Sequence, residues 1–197
     1  MNTPQFMHIQ FMEDISLCDR VIEYFRANPE LWEVGATMSR STGQGYSWST
    51  GEEGKQSTDL VCYGDNENED IIEAVRQLQI ALDDYIELYP YVNEGAPFGL
   101  EPFNIQRYGP GEGFLTWHCE RSMACEPINN RHITFQINLN DIEVGGETEF
   151  FHQEFKSKAE KGKIIFFPSD WTFTHRGLVT QEEKLILTGW YNYLYEY

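Results

Sequence analysis

The sequence predicts an α+β fold with a mainly β core, in which helices of the first half brace a sandwich or barrel of short strands in the second. Three observations predict it. Apolar residues recur at helical spacing in two stretches before residue 90. From residue 103 onward, seven short strand-like stretches follow at regular intervals. Gly, Pro, Asn or Asp stands between most of them, as turns between strands require.

Taken in order, the first helix begins where Ser16 and Asp19 suggest a capping box, and Leu17, Val21, Ile22 and Phe25 form its apolar stripe. Pro29 limits it. Residues 39–58 are rich in Gly and Ser and read as a loop, or as a hairpin with a mobile tip. A short strand is expected at 60–63. The clearest helix spans 70–88. Glu67, Glu69, Asp70 and Glu73 put negative charge at its start, where the helix dipole favours it. Ile71, Val75, Leu78, Leu82, Tyr85 and Ile86 form one face, and Pro90 ends it. The expected strands are 103–108, 114–119, 132–139, 147–152, 163–167, 171–175 and 184–192. Residues 132–139 alternate strictly, with Ile133, Phe135, Ile137 and Leu139 on one face.

Composition narrows the class. The 197 residues suit one domain, with 1–102 as support and 103–197 as core. At 41% apolar and 23% charged, the chain reads as globular rather than disordered. A net charge of −18 repels phosphate backbones, and the densest basic stretch, 156–163, carries its own acid, so no nucleic-acid partner is expected. No stretch approaches the roughly 18 apolar residues of a membrane helix, so no membrane partner is expected. The first residues lack the basic and apolar regions of a secretory signal. Cys18, Cys62, Cys119 and Cys125 lack paired CxxC spacing, which argues against a disulfide framework or a Cys-ligated zinc. A reducing cytoplasm is the expected location. The sequence sets no oligomeric state.

The chemistry centres on His118-Cys119-Glu120 at the end of a strand. Side chains two apart on a strand point the same way, so His118 and Glu120 can bite one ion. A histidine from another strand would complete a two-histidine, one-carboxylate triad, which leaves three positions open on an octahedral ion and suits Fe(II) oxygenases. His175 is the natural third ligand. A lone His-x-Glu also occurs where no metal binds, and His8, His132 and His152 read as surface or structural histidines. Lys184 opens a strand from which its ammonium can enter the same barrel; in isolation it would read as a solvated charge.

Four ordered blocks between about 103 and 192 resemble one family. Residues 108–114, Tyr-Gly-Pro-Gly-Glu-Gly-Phe, lead to His118; Arg131 to Thr134 open a strand that runs to Leu139-Asn140-Asp141. Gly145-Gly146-Glu147-Thr148 follows. Lys161 to Phe167 then precede His175, with Lys184 nine residues later and Trp190 beyond. Together these resemble the prolyl 4-hydroxylase branch of the 2-oxoglutarate- and Fe(II)-dependent dioxygenases. The resemblance implies a double-stranded β-helix, a jelly-roll of cupin-like form. It implies Fe(II) held by His118, Glu120 and His175, with 2-oxoglutarate and O2 as cosubstrates and ascorbate as an accessory reductant. It places Lys184 on the distal carboxylate of 2-oxoglutarate, Thr148 and Tyr108 in hydrogen bonds to it, and Trp190 in its pocket wall. Gly145 and Gly146 would serve backbone geometry. The family usually has Asp where this chain has Glu120; the side chain is one methylene longer and still able to reach an ion.

The expected activity is oxidative decarboxylation of 2-oxoglutarate coupled to hydroxylation of a C–H bond, most simply on a peptidyl proline. The acidic surface favours a basic peptide or protein. A free amino acid or other small molecule is the alternative substrate, and a non-catalytic jelly-roll binding module with a degenerate metal site is the alternative class. An oxygenase that uses no 2-oxo acid would have no need of Lys184 or Thr148. Trp117, Trp171, Tyr191 and Tyr193 are candidates for a peptide groove, and residues 39–58 and 121–131 for lids.

Overall fold

The structure, a computed structural model, describes residues 3–40, 46–50 and 54–194. In chain order the strands and helices are β1 (His8–Phe11), α1 (Leu17–Ala27), β2 (Trp32–Val34), β3 (Ala36–Arg40), β4 (Tyr46–Thr50), β5 (Thr58–Cys62), α2 (Glu69–Leu88), β6 (Phe98–Leu100), β7 (Phe103–Tyr108), β8 (Phe114–His118), β9 (Arg131–Asn138), β10 (Thr148–Phe150), β11 (Phe155–Ser157), β12 (Lys163–Pro168), β13 (His175–Gly177) and β14 (Lys184–Tyr193). The large sheet runs β1-β12-β9-β14-β7-β5-β2, with β6 beside the end of β14; the small sheet runs β11-β10-β13-β8. This is the mainly β, α+β jelly-roll that the sequence predicts.

Each strand of the large sheet divides its side chains between two environments. On one face Phe103, Ile105, Ile133, Phe135, Ile137, Leu185, Leu187 and Tyr191 pack against Leu17, Val21 and Phe25 of α1 and Ile71, Leu78 and Leu82 of α2. The helices therefore cover one side of the sheet, and each leucine or isoleucine so buried contributes about 1.5–3 kcal/mol. Strand β12 is apolar on both faces. Ile164 and Phe166 face the helices, while Ile165 and Phe167 join Phe150 of the small sheet in a second cluster between the sheets. Gly189 of β14 leaves room for this packing, because a Cβ there would stand 2.5 Å from Phe103 Cβ and 2.9 Å from Phe135 Cζ.

The helices start differently from one another. Asn68 caps α2, its side-chain oxygen accepting from the backbone N–H of Asp70 and Ile71 at 3.1 Å. At α1 the expected capping box does not form. The Ser16 hydroxyl donates to Asp14, and Asp19 pairs with Lys161 Nζ at 2.7 Å. Residues 39–58 take in the end of β3 and all of β4, which pair as a hairpin over 36–50, and the tip expected to be mobile lies outside the described residues. The strand expected at 171–175 is corrected. Trp171–Phe173 forms a 3₁₀ turn because the Asp170 side chain accepts from Thr172 N–H at 3.1 Å, and the strand begins only at His175. Among the described residues, no helix is long and apolar enough to cross a membrane.

Candidate metal centre and its cavity

The small sheet brings the three expected ligands together. In the pairing of β13 with β8, His175 stands directly opposite His118. Strand β8 ends at His118, so Glu120 lies beyond it in a bend, and strand alternation alone does not aim its carboxylate. Glu120 Oε1 nevertheless lies 3.5 Å from His118 Nε2 and 3.4 Å from His175 Nε2. One ligand atom from each of the three lies within 4.8 Å of the others, a spacing that can hold one metal ion.

Both imidazoles are fixed by their other nitrogen. His118 Nδ1 lies 2.8 Å from the carbonyl of Thr116, and His175 Nδ1 lies 2.9 Å from that of Phe173. Donation from Nδ1 leaves the Nε2 lone pairs to face Glu120, as metal-binding histidines require. Phe114 stacks on His118 with centroids 3.7 Å apart, and Phe167 packs edge-on against His175 at 5.0 Å. Burial lowers the pKa of His118, and the neighbouring His175 adds to that, so the ring is held in the neutral form that ligates. At Glu120 burial works to raise the pKa. The two histidines beside it, in their protonated forms, outweigh it and hold the carboxyl well below the usual carboxylate range. Two imidazoles and one carboxylate fit a divalent ion.

These side chains open onto a cavity of about 550 Å³. Its floor is the inward face of the large sheet. Lys184, Tyr108, Thr148 and Trp190 all line it. Lys184 is buried, and its Nζ donates to the carbonyl of Gly146 at 2.7 Å. Burial pushes its ammonium down to about 8, against the raising effect of Glu147. The Thr148 hydroxyl donates to Gln136 Oε1 at 3.1 Å, and Tyr108 donates to Gln106 Oε1 at 2.7 Å. Burial, followed by the charges of Asp59 and Glu120, holds the Tyr108 phenol well above 10, so it stays protonated. Gly145 and Gly146 have φ of +78° and +70°, which explains glycine at both positions. A Cβ on Gly145 would also meet the Val179 carbonyl oxygen at 2.4 Å.

Other expectations fall elsewhere. His132 donates to or accepts from nothing at the centre; its Nε2 lies 2.9 Å from the Val92 carbonyl. Of the proposed groove aromatics, Tyr191 is in the helix-facing core, Tyr193 stacks on His132, Trp117 lies under Arg176, and Trp171 is 67% exposed beside His152. None of the four lines the cavity.

A reading of the sequence assigns no role to several buried groups of the cavity. Lys55 pairs with Asp59 at 2.6 Å, and both are buried. Arg131 reaches Glu120 and Glu101 at 3.3 and 3.4 Å. Gln106 and Gln136 hold Tyr108 and Thr148. One sequence signal does point to the two glutamines. The non-core faces of β7 and β9 carry Asn104, Gln106 and Tyr108, and Thr134, Gln136 and Asn138, all uncharged. A solvent-facing strand in so acidic a chain would carry Lys or Glu.

Fold and site together are those expected of a 2-oxoglutarate- and Fe(II)-dependent dioxygenase. Residues 103–192 match the family model described as the 2OG-Fe(II) oxygenase superfamily, whose members use Fe(II), 2-oxoglutarate and O2. The prolyl 4-hydroxylase-like resemblance is borne out by solved structures. A viral collagen prolyl hydroxylase from Paramecium Bursaria Chlorella virus-1, in its 2OG complex, superposes with a TM-score of 0.69 at 19% identity, over 96% of this chain and 97% of its own. A Pseudomonas putida prolyl-4-hydroxylase gives 0.66 at 16%, over 96% and 94%. A Trichoplax adhaerens prolyl hydroxylase, solved with a hypoxia inducible factor peptide fragment, gives 0.65 at 16%, over 95% and 83%. At these identities the likeness is one of fold. No curated protein matches the sequence.

Proposed function

We propose that the chain hydroxylates a prolyl residue of a peptide or protein, coupled to oxidative decarboxylation of 2-oxoglutarate. The observation that carries this is the convergence of His118, Glu120 and His175 on the cavity that also holds Lys184, within a fold shared with prolyl hydroxylases along nearly the whole chain. His118 and His175 would give Nε2, and Glu120 a carboxylate oxygen, to Fe(II). When bound, the metal and the 2-oxo acid supply the oxidising chemistry. The chain's own work is to bind, orient and keep dry. Lys184 would pair with the distal carboxylate of the 2-oxo acid. Thr148 and Tyr108, whose hydroxyls donate to Gln136 and Gln106 here, would turn those protons toward it, and Trp190 would wall the pocket.

The test is incubation with Fe(II), 2-oxoglutarate, ascorbate and air, offering proline-containing peptides beside free proline and other amino acids. A gain of one oxygen atom on a peptide, with one succinate released, supports the reading. Modification of a free amino acid alone shifts it to a small-molecule hydroxylase. No succinate from folded protein with any substrate refutes it. The acidic surface favours peptides flanked by Lys or Arg, an advantage that fades as salt shortens the screening length below about 8 Å.

A further inference from the structure

Arg131, the first residue of β9, does something for Glu120 that no ligand of the site can do. Its Nη1 lies 3.3 Å from Glu120 Oε2 and 3.4 Å from the Glu120 backbone carbonyl. Its Nη2 lies 3.4 Å from Glu101 Oε1. The Trp190 ring lies against the guanidinium, 3.4 Å from centroid to carbon. With the arginine side chain only 9% exposed, its plane is clamped between a ring and two carboxylates. The two oxygens of Glu120 therefore face different partners, Oε1 the two imidazoles and Oε2 the guanidinium.

We propose that Arg131 is a positioning residue that reserves Glu120 Oε2, so that Glu120 offers the metal a single oxygen. The inference rests on the reading of His118, Glu120 and His175 as the iron site. Ligand counting shows why it matters. An octahedral ion that takes two imidazoles, one carboxylate oxygen and a chelating 2-oxo acid has one position left. A carboxylate bound through both oxygens would fill that position. Glutamate has one more rotatable bond than aspartate, so its carboxylate swings more freely and the choice must be imposed from outside. The guanidinium imposes it because its planar fork spans Glu101 and Glu120 at once, which a lysine ammonium, a point charge, cannot do. Glu101 and Trp190 hold the fork in place.

The test uses Co(II) as the probe, read by visible absorption, with His175→Ala as control. Wild type is expected to bind. Arg131→Met should need about 10- to 100-fold more Co(II), the range for loss of a group that orients a metal ligand. Its cobalt band should also change in position and intensity, because Glu120 then binds differently. Arg131→Lys should be intermediate. Unchanged affinity and an unchanged band in both variants overturn the proposal. So does a lower Tm with the wild-type band, since that is packing alone. If Arg131→Met fails to fold, Arg131→Lys decides by the same two readouts, because it keeps the buried charge. If folded wild type binds no better than His175→Ala, the iron-site reading itself has failed and this inference falls with it.

Discussion

Replacing Lys184 with methionine should weaken the cosubstrate and spare or strengthen the fold, and the structure supplies both magnitudes. The ammonium is buried, and its environment pushes it from an ordinary value of 10.5 to about 8. At 1.36 kcal/mol per pH unit, holding that charge at pH 7 costs the folded protein about 3 kcal/mol. Removing the side chain recovers this cost but leaves the Gly146 carbonyl, now bonded at 2.7 Å, without its donor, a loss of about 1–3 kcal/mol. Stability should thus stay level or rise by up to about 2 kcal/mol, a Tm change of zero to several degrees for a domain of this size. Against this, the charge-assisted hydrogen bond to a bound carboxylate is worth about 1.5–3 kcal/mol, so the 2-oxoglutarate Kd should rise about 10- to 150-fold. The assay is 2-oxoglutarate titration of Mn(II)-loaded protein, with a thermal melt of the same samples.

The pH dependence has a definite sign. The folded pKa of Lys184 lies below the unfolded one, so between about pH 8 and 10.5 the unfolded chain holds more protons and stability rises with pH. Affinity for the dianion runs the other way. Wild type should bind 2-oxoglutarate about tenfold more weakly at pH 9 than at pH 7, because most of the lysine is then neutral before the anion arrives. Lys184→Met should lose both dependences. A variant that melts several degrees lower, binds 2-oxoglutarate as well as wild type and keeps its pH profile would show that Lys184 is a structural lysine satisfied by Gly146, and the reasoning would be refuted.

Three further outcomes are expected. Anaerobic addition of Fe(II) and 2-oxoglutarate should give the weak visible charge-transfer band of the chelate, and His175→Ala should abolish it while the far-ultraviolet circular dichroism stays native. Gly145→Ala should cost at least about 2 kcal/mol in denaturant melts, because a left-handed backbone and a 2.4 Å approach to the Val179 carbonyl oppose any side chain. Lys55→Met should cost about 3–5 kcal/mol by leaving buried Asp59 unpaired, and a second change, Asp59→Leu, should restore much of it; a single variant as stable as wild type would mean the pair is solvated.

The fold was legible because its strongest signals are local. The period of α2 and the alternation of β9 each name a face, and both faces pack where expected. The 171–175 stretch misled because aromatic and β-branched residues spell a strand, while Asp170 and one side-chain hydrogen bond turn it into a 3₁₀ turn. The site was only half legible. His118, Glu120, His175 and Lys184 stood out through their order and spacing. Glu101, Lys55 and Asp59 did not, since each reads alone as an ordinary surface charge, and Arg131 stood out only as the start of a strand block, with no role attached. Only the closing of one sheet over the other buries them around the same space.

That burial also resolves how so acidic a protein can take a dianion. Net charge of −18 acts at long range, where salt screens it, whereas binding is decided inside the cavity. There the buried charges largely cancel in groups. Lys55 is paired with Asp59, and Arg131 with Glu120 and Glu101. Among the described cations of the cavity, Lys184 alone is held by a carbonyl rather than by a carboxylate. It is therefore the one whose charge is free to meet an incoming anion, and its depressed pKa marks what that charge costs while the anion is absent. A divalent ion at the triad would add the remaining positive charge at the other end of the same space. The polarity of the cavity, a cation at Lys184 and a metal at Glu120, then matches a ligand with an acid at each end.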